Sequence, residues 1–161
     1  MIVKALSDSR FLMMDEVDKD LLQYKWHLDN GRYATRHVQV LGRARRIKSP
    51  MHRAILERKI GRSLTKGEEC DHRDGNTLNN QRGNLRLATR QENNRNVKER
   101  HGSSRYRGVR RDKNVQKWRA DISIDGKKVY LGYFSDEIEA ARAYDVAAKQ
   151  HFGQFGRLNG V

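Results

Sequence analysis

Apolar positions in this chain fall into short runs whose period changes along its length. Residues 1–30 read as a short strand followed by a short helix. Asp15 is placed to cap that helix, and Val17, Leu21 and Leu22 keep helical spacing ahead of Trp26. Residues 33–40 and 43–47 flank Leu41-Gly42 and predict a basic β-hairpin. Residues 51–60 predict a helix with Met51, Ile55 and Leu56 apolar, Pro50 at its entrance and Gly61 positioned to stop it. A compact unit follows, with a strand at 69–72, a polar loop at 73–83 and a second strand at 84–88. Thr89-Arg90-Gln91-Glu92 is then a capping-box pattern that opens a helix.

The polar, basic stretch 94–105 ends in Gly102-Ser103-Ser104 and holds the expected linker, set at residues 97–105. Beyond it the pattern is different. Residues 106–111, 118–124 and 127–134 are strand-like, and Asp125-Gly126 is the strongest hairpin signal in the chain. Ser135 is expected to cap a helix whose first turn carries Asp136 and Glu137. Its apolar stripe is Ala140, Ala141, Tyr144, Ala147 and Ala148, small enough to sit close against a sheet. In residues 118–124, Trp118, Ala120, Ile122 and Ile124 alternate with Arg119, Asp121 and Ser123, so one sheet face can pack while the other stays open.

Composition adds a partner. In 161 residues, Lys and Arg number 34 against 20 Asp and Glu, a net charge of +14. The cations cluster: residues 32–66 hold eleven against Glu57 alone, whereas acids gather near 15–20, 68–74 and 136–145. Such a footprint fits a polyanion, because neutralised phosphates release condensed counterions. Only 34 residues are Leu, Ile, Val or Phe, which favours two small modules over one large core. No apolar run approaches the ~20 residues of a membrane span, and no signal peptide opens the chain, so an intracellular protein without membrane partners is expected. The single Cys70 excludes an internal disulfide and a cysteine zinc cage.

Candidate chemistry lies in Cys70-Asp71-His72-Arg73-Asp74-Gly75-Asn76-Thr77-Leu78-Asn79-Asn80, followed by Asn84-Leu85-Arg86 and Asn93. A neutral imidazole can take a proton from water near pH 7. A carboxylate with an amide carbonyl is a hard-oxygen set suited to Mg2+ or Mn2+. Adjacent strand residues point to opposite faces, so Asp71 and His72 can share one site only if the strand twists or ends there. His52, near a helix start, reads first as a packing or capping residue, and His27, His37, His101 and His151 as surface or packing residues.

These residues, with Met51-His52-Arg53 and Thr89, resemble the HNH homing endonucleases over roughly residues 1–96, most strongly over 51–96. The resemblance implies a ββα-metal fold that cuts DNA, leaving 3′-hydroxyl and 5′-phosphate ends. It makes His72 the general base, Asp71 and Asn93 the ligands of one divalent metal, and Asn84 the residue that holds the loop and orients the histidine. Asn93 stands where the family name has its final histidine.

A second resemblance covers residues 103–159. Tyr106-Arg107-Gly108-Val109-Arg110, Lys117-Trp118, Leu131-Gly132-Tyr133-Phe134, Glu139-Ala140-Ala141-Arg142-Ala143-Tyr144-Asp145 and Leu158-Asn159 resemble the Apetala-two/ethylene-response-factor DNA-binding domain. That implies a three-stranded antiparallel sheet packed on one helix and inserted in the major groove. The implied DNA-facing positions are Arg107, Arg110, Asp121, Ser123, Lys128 and Tyr130, with Arg111 and Arg119 supplying neighbouring charge. Asp121, Ser123 and Tyr130 depart from the plant pattern of glutamate, arginine and tryptophan, so binding mode transfers and base preference does not. Expected overall is an α+β protein with a nuclease module at 1–96 and a DNA-binding module at 106–161. It would be a monomer acting on double-stranded DNA, with no obligate protein partner, in a bacterial or phage-infected cell. The alternative is a DNA-binding regulator whose nuclease motif does not cut.

Overall fold

The computed structural model describes residues 1–6, 9–39, 42, 46–96 and 103–161. Residues 40, 41 and 43–45 of the expected hairpin and residues 97–102 of the expected linker lie outside them. The chain divides into two compact units, Met1–Asn93 and Asn94–Val161. Each is mixed α+β.

In the first unit, β1 (Ile2–Ala5) and β2 (Phe11–Met14) form an antiparallel pair where one strand was expected. The segment Glu16–Gln23 is a 3-10 helix, not an α-helix. Its buried residues, Asp18 and Leu21, follow the three-residue turn, and Val17 points to solvent. Asp15 precedes it without capping it, because its carboxylate instead accepts from the backbone N–H of Arg82 at 2.8 Å. Asp18, fully buried, takes a two-pronged bond from Arg82 at 2.8 and 2.9 Å, so this segment pins the loop that precedes the second strand of the site.

β3 (His27–Asp29), β4 (Tyr33–Val38) and β5 (Ile47–Pro50) make an antiparallel sheet in that order. The second strand of the expected hairpin lies later than the sequence suggested, at Ile47–Pro50 instead of 43–47, with Val38 facing Ile47, so the connection is longer than a two-residue turn; β3 is an added edge strand. α1 (Met51–Ile60) begins after Pro50 and stops at Gly61, whose φ of 74° is the left-handed conformation a helix C-terminus favours. Met51, Ile55 and Leu56 enter a core with Leu12, Met14, Leu21, Leu64, Leu78 and Leu85. β6 (Glu68–His72) pairs antiparallel with β7 (Leu85–Thr89), and α2 (Arg90–Arg95) follows. The capping box forms as expected: Glu92 N–H donates to Thr89 Oγ1 at 3.3 Å and Thr89 N–H to Glu92 Oε2 at 2.7 Å.

The second unit holds β8 (Val109–Asp112), β9 (Lys117–Ile124) and β10 (Lys127–Phe134), an antiparallel sheet with β9 central. Asp125 and Gly126 join β9 to β10 with φ of 48° and 79°, the paired positive values of a type I′ turn. α3 (Glu137–Phe152) packs on one sheet face. Its stripe of Ala140, Ala141, Tyr144, Ala147 and Ala148 is buried against Val109, Ala120 and Ile122. The helix cap is Asp136, one residue later than the expected Ser135. Its carboxylate accepts from the N–H groups of Ile138 and Glu139, the first free donors of the helix. No helix among the described residues is long and apolar enough to cross a membrane.

Candidate active site and nucleic-acid interface

The β6–β7 ribbon carries two different faces because side chains alternate along each strand. Cys70 and His72 lie on one, with Leu85 directly opposite His72. Glu69 and Asp71 lie on the other, with Arg86 opposite Asp71. β6 ends at His72, and the chain turns at once through Gly75, whose N–H bonds back to His72 O at 2.9 Å. The strand end is the condition under which the two residues can serve one site.

His72 is buried at 5% exposure, among His52, Tyr33 and Asn80. Its Nε2 lies 3.4 Å from Asn80 Oδ1, and its ring centroid 5.1 Å from that of His52. Burial pushes the His72 imidazole below its ordinary pKa, against opposing pulls from Asn80, Asp74 and Asp71, so the neutral, proton-accepting form is favoured. His52 is pushed lower, to about 3, by burial and then by the charges of His72 and Arg53. Its Nδ1 is buried without a hydrogen-bond partner.

Asn84 ties the loop together. Its Nδ2 donates to Asp74 Oδ1 at 3.0 Å and to Asn79 O at 2.8 Å, and its Oδ1 accepts from Asp74 N–H at 3.1 Å. The loop-holding half of its expected role therefore has a geometry. Asn80, buried and itself donating to Leu78 O at 3.3 Å, also lies within hydrogen-bonding distance of His72. In sequence Asn80 was one more turn-forming asparagine.

On the other face, Arg86 Nε and Nη2 reach one Asp71 oxygen at 2.7 and 2.5 Å. Asn93, from α2, donates its Nδ2 to Glu69 Oε2 at 2.6 Å, which puts it on the Asp71 side of the ribbon. The nitrogen end of the amide is thereby committed, and not its oxygen. Among the described residues no three His, Cys, Asp or Glu side chains form a metal-holding group. The chemistry of the donor set is that of a hard cation: the Asp71 and Glu69 carboxylates and the Asn93 amide lie on one face, and a guanidinium already meets the Asp71 charge.

In the second unit, the sheet face opposite α3 displays Arg110, Arg119, Asp121, Ser123, Lys128 and Tyr130. Arg110 pairs across with Arg119, Asp121 with Tyr130, and Ser123 with Lys128. Arg119 donates to Asp121 at 2.8 to 3.0 Å and covers the Tyr130 ring at 4.9 Å, while Arg110 stands 3.4 Å from the same carboxylate. Arg111 is not brought to this face: it pairs with Trp118, and its guanidinium lies over that indole at 5.3 Å. Arg107 precedes β8 and is held by its backbone. Asn159 Oδ1 accepts from Arg107 N–H at 2.7 Å, and Asn159 Nδ2 donates to Arg107 O at 3.3 Å. Asn159 and Gly160 are in turn held by the buried carboxylate of Asp145. This clamp joins the Leu158-Asn159 and Tyr144-Asp145 motifs.

Comparison with known proteins agrees with both geometries. Residues 49–95 match the HNH endonuclease family, and residues 104–154 match the AP2 domain. An uncharacterised HNH endonuclease of Acanthamoeba polyphaga mimivirus is 32% identical over 139 residues, which cover 86% of this chain and 68% of that protein. The dehydration-responsive element-binding protein 2C of Arabidopsis thaliana is 50% identical over 56 residues, 34% of this chain. An AP2-like ethylene-responsive transcription factor of rice is 53% identical over 49. The chain spans only 16% and 8% of those two plant proteins. This chain therefore belongs to the HNH endonuclease family, with an AP2 DNA-binding domain following its nuclease domain.

Proposed function

We propose that the protein is a metal-dependent DNA endonuclease of the homing or mobile-element kind, which uses the AP2 domain to engage double-stranded DNA and the β6–β7–α2 ribbon to cut it. The observation that carries the proposal is His72: a buried imidazole biased toward its neutral form, at the end of a strand whose preceding residue is a buried carboxylate. His72 accepts the proton of the attacking water. Asp71 and Asn93 would hold one divalent cation, Mg2+ or Mn2+, with Glu69 orienting the Asn93 amide as second-layer carboxylates do. Such a cation supplies stabilisation of the charge that builds on the departing oxygen. Asn84 keeps the loop at the strand end in register through its bonds to Asp74 and Asn79.

On the sheet, Arg107, Arg110, Arg119 and Lys128 meet phosphates and base edges, and Asp121 holds Arg110 and Arg119 ready. One nuclease site per chain fits a monomer that nicks one strand, inside a bacterial or phage-infected cell. Incubating supercoiled plasmid with the protein and Mg2+ or Mn2+ tests the proposal. Conversion to open circle, abolished by EDTA, supports it. Retarded but intact plasmid under all metals would leave the non-cleaving regulator in its place.

A further inference from the structure

The β6–β7 register sets Arg86 directly opposite Asp71, with both side chains buried, at 7% and 3% exposure. Two guanidinium nitrogens crowd one carboxylate oxygen at 2.7 and 2.5 Å. A pair this enclosed differs from a surface ion pair, because removing either charge leaves the other buried and uncompensated. The same carboxylate is the cation ligand of the proposed site, and the inference rests on that reading.

Charge on this face decides what can coexist. Asp71 and Glu69 contribute two negative charges and Arg86 one positive, with Asn93 linked to Glu69 from α2. Adding a divalent cation turns this net negative group of side chains positive. It also sets the cation beside a guanidinium on the same carboxylate, where burial leaves little water to screen the repulsion. A phosphodiester restores neutrality. It also offers Arg86 an acceptor as well matched to a guanidinium fork as a carboxylate is.

We propose that Arg86 is the resident counter-charge of Asp71, holding the divalent cation off in the DNA-free protein and passing to a DNA phosphate when the duplex arrives. Cation and DNA then bind each better in the presence of the other, and by linkage the two enhancements are equal. The device keeps the nuclease unloaded away from DNA.

Mn2+ titrated into the full-length protein, with free Mn2+ read by electron paramagnetic resonance, tests this without any cleavage step. The DNA-free wild type should bind Mn2+ about tenfold more weakly than Arg86→Gln, within the usual range of coupling between sites. Arg86→Lys, which keeps the charge, should stay with the wild type. An excess of mixed-sequence duplex should tighten Mn2+ binding by the wild type and change Arg86→Gln little. Asp71→Asn protein with the same duplex supplies the baseline for metal held by DNA alone. If Asp71→Asn abolishes the protein's Mn2+ site but Arg86→Gln binds no better than wild type, the counter-charge proposal is overturned and the ligand reading survives. If Asp71→Asn leaves Mn2+ binding unchanged, the ligand reading fails and takes the proposal with it. If Gln and Lys variants both lose Mn2+, Arg86 supports the site structurally instead of competing for it.

Discussion

Replacing Gly108 with alanine should unseat the β8–β10 sheet from α3. Gly108 has φ of +73°, and a Cβ built there would lie 2.1 Å from Tyr144 Cδ2 and 2.6 Å from the carbonyl oxygen of Asp121. The left-handed conformation costs a non-glycine residue about 1–2 kcal/mol. Forcing a methyl group into packed surroundings adds about 1–3 kcal/mol. The Tyr144 ring can turn, but the Asp121 carbonyl is fixed by strand pairing, since Asp121 N–H donates to Gly108 O at 2.8 Å. The sum, about 2–5 kcal/mol, is a large part of the stability of so small a unit. Urea unfolding of a Trp26→Phe background, followed by Trp118 fluorescence, reads this unit specifically, and gel shifts report duplex binding. The midpoint should fall steeply and binding should weaken with it. Adding Tyr144→Ala should relieve only the ring overlap. A shift below about 0.5 kcal/mol, the scale of an ordinary surface substitution, would refute the close-packing argument.

Asn159→Ala should weaken duplex binding about tenfold, because it removes the side-chain bonds on both sides of Arg107, a loss of roughly 1–3 kcal/mol where backbone groups are left without partners; a gel-shift titration reads it. Arg110→Ala should cost roughly 1–3 kcal/mol and relax sequence preference if the side chain reads bases, or weaken all duplexes equally if it meets phosphate; selection from a randomised duplex pool distinguishes the two. His52 makes stability pH-dependent. Its folded pKa of about 3 lies below the ordinary 6.5, so its contribution is complete above pH 6.5 and lost as the pH falls toward 3. At pH 5 the loss is about 2 kcal/mol, and urea midpoints of the wild type should drop between pH 7.5 and 5 more than those of His52→Leu.

Local signals carried far in this chain. Pro50 and Gly61 bracket α1, Thr89 and Glu92 close a capping box, Asp125-Gly126 makes its turn, and the alanine stripe of α3 is buried as spacing implies. Each is a short-range device with a stereochemical cause. What the sequence hid depends on partners distant along the chain. The pairing of Arg86 with Asp71 follows from strand register, and nothing near Arg86 announces it. Asn80 stands apart from Asn79 and Asn84 only because the fold buries its amide beside His72. Asp15 looked like a cap until Arg82, 67 residues later, claimed its carboxylate. Arg111 sits one residue from Arg110 and therefore on the opposite face, a consequence of where β8 begins to pair. The short helix expected before Trp26 is a 3-10 helix, Glu16–Gln23, because its three-residue turn buries Asp18 and Leu21 and leaves Val17, which the spacing counted as apolar support, in solvent.

Single-turnover cleavage of plasmid by His72→Ala, measured beside duplex affinity in the same buffer, tests the central claim most directly. A general base contributes about 10²–10⁴-fold, while the proposed DNA contacts come from other side chains. The account predicts a rate loss in that range with affinity nearly unchanged. A loss of only a fewfold, or a parallel fall in affinity, would contradict it.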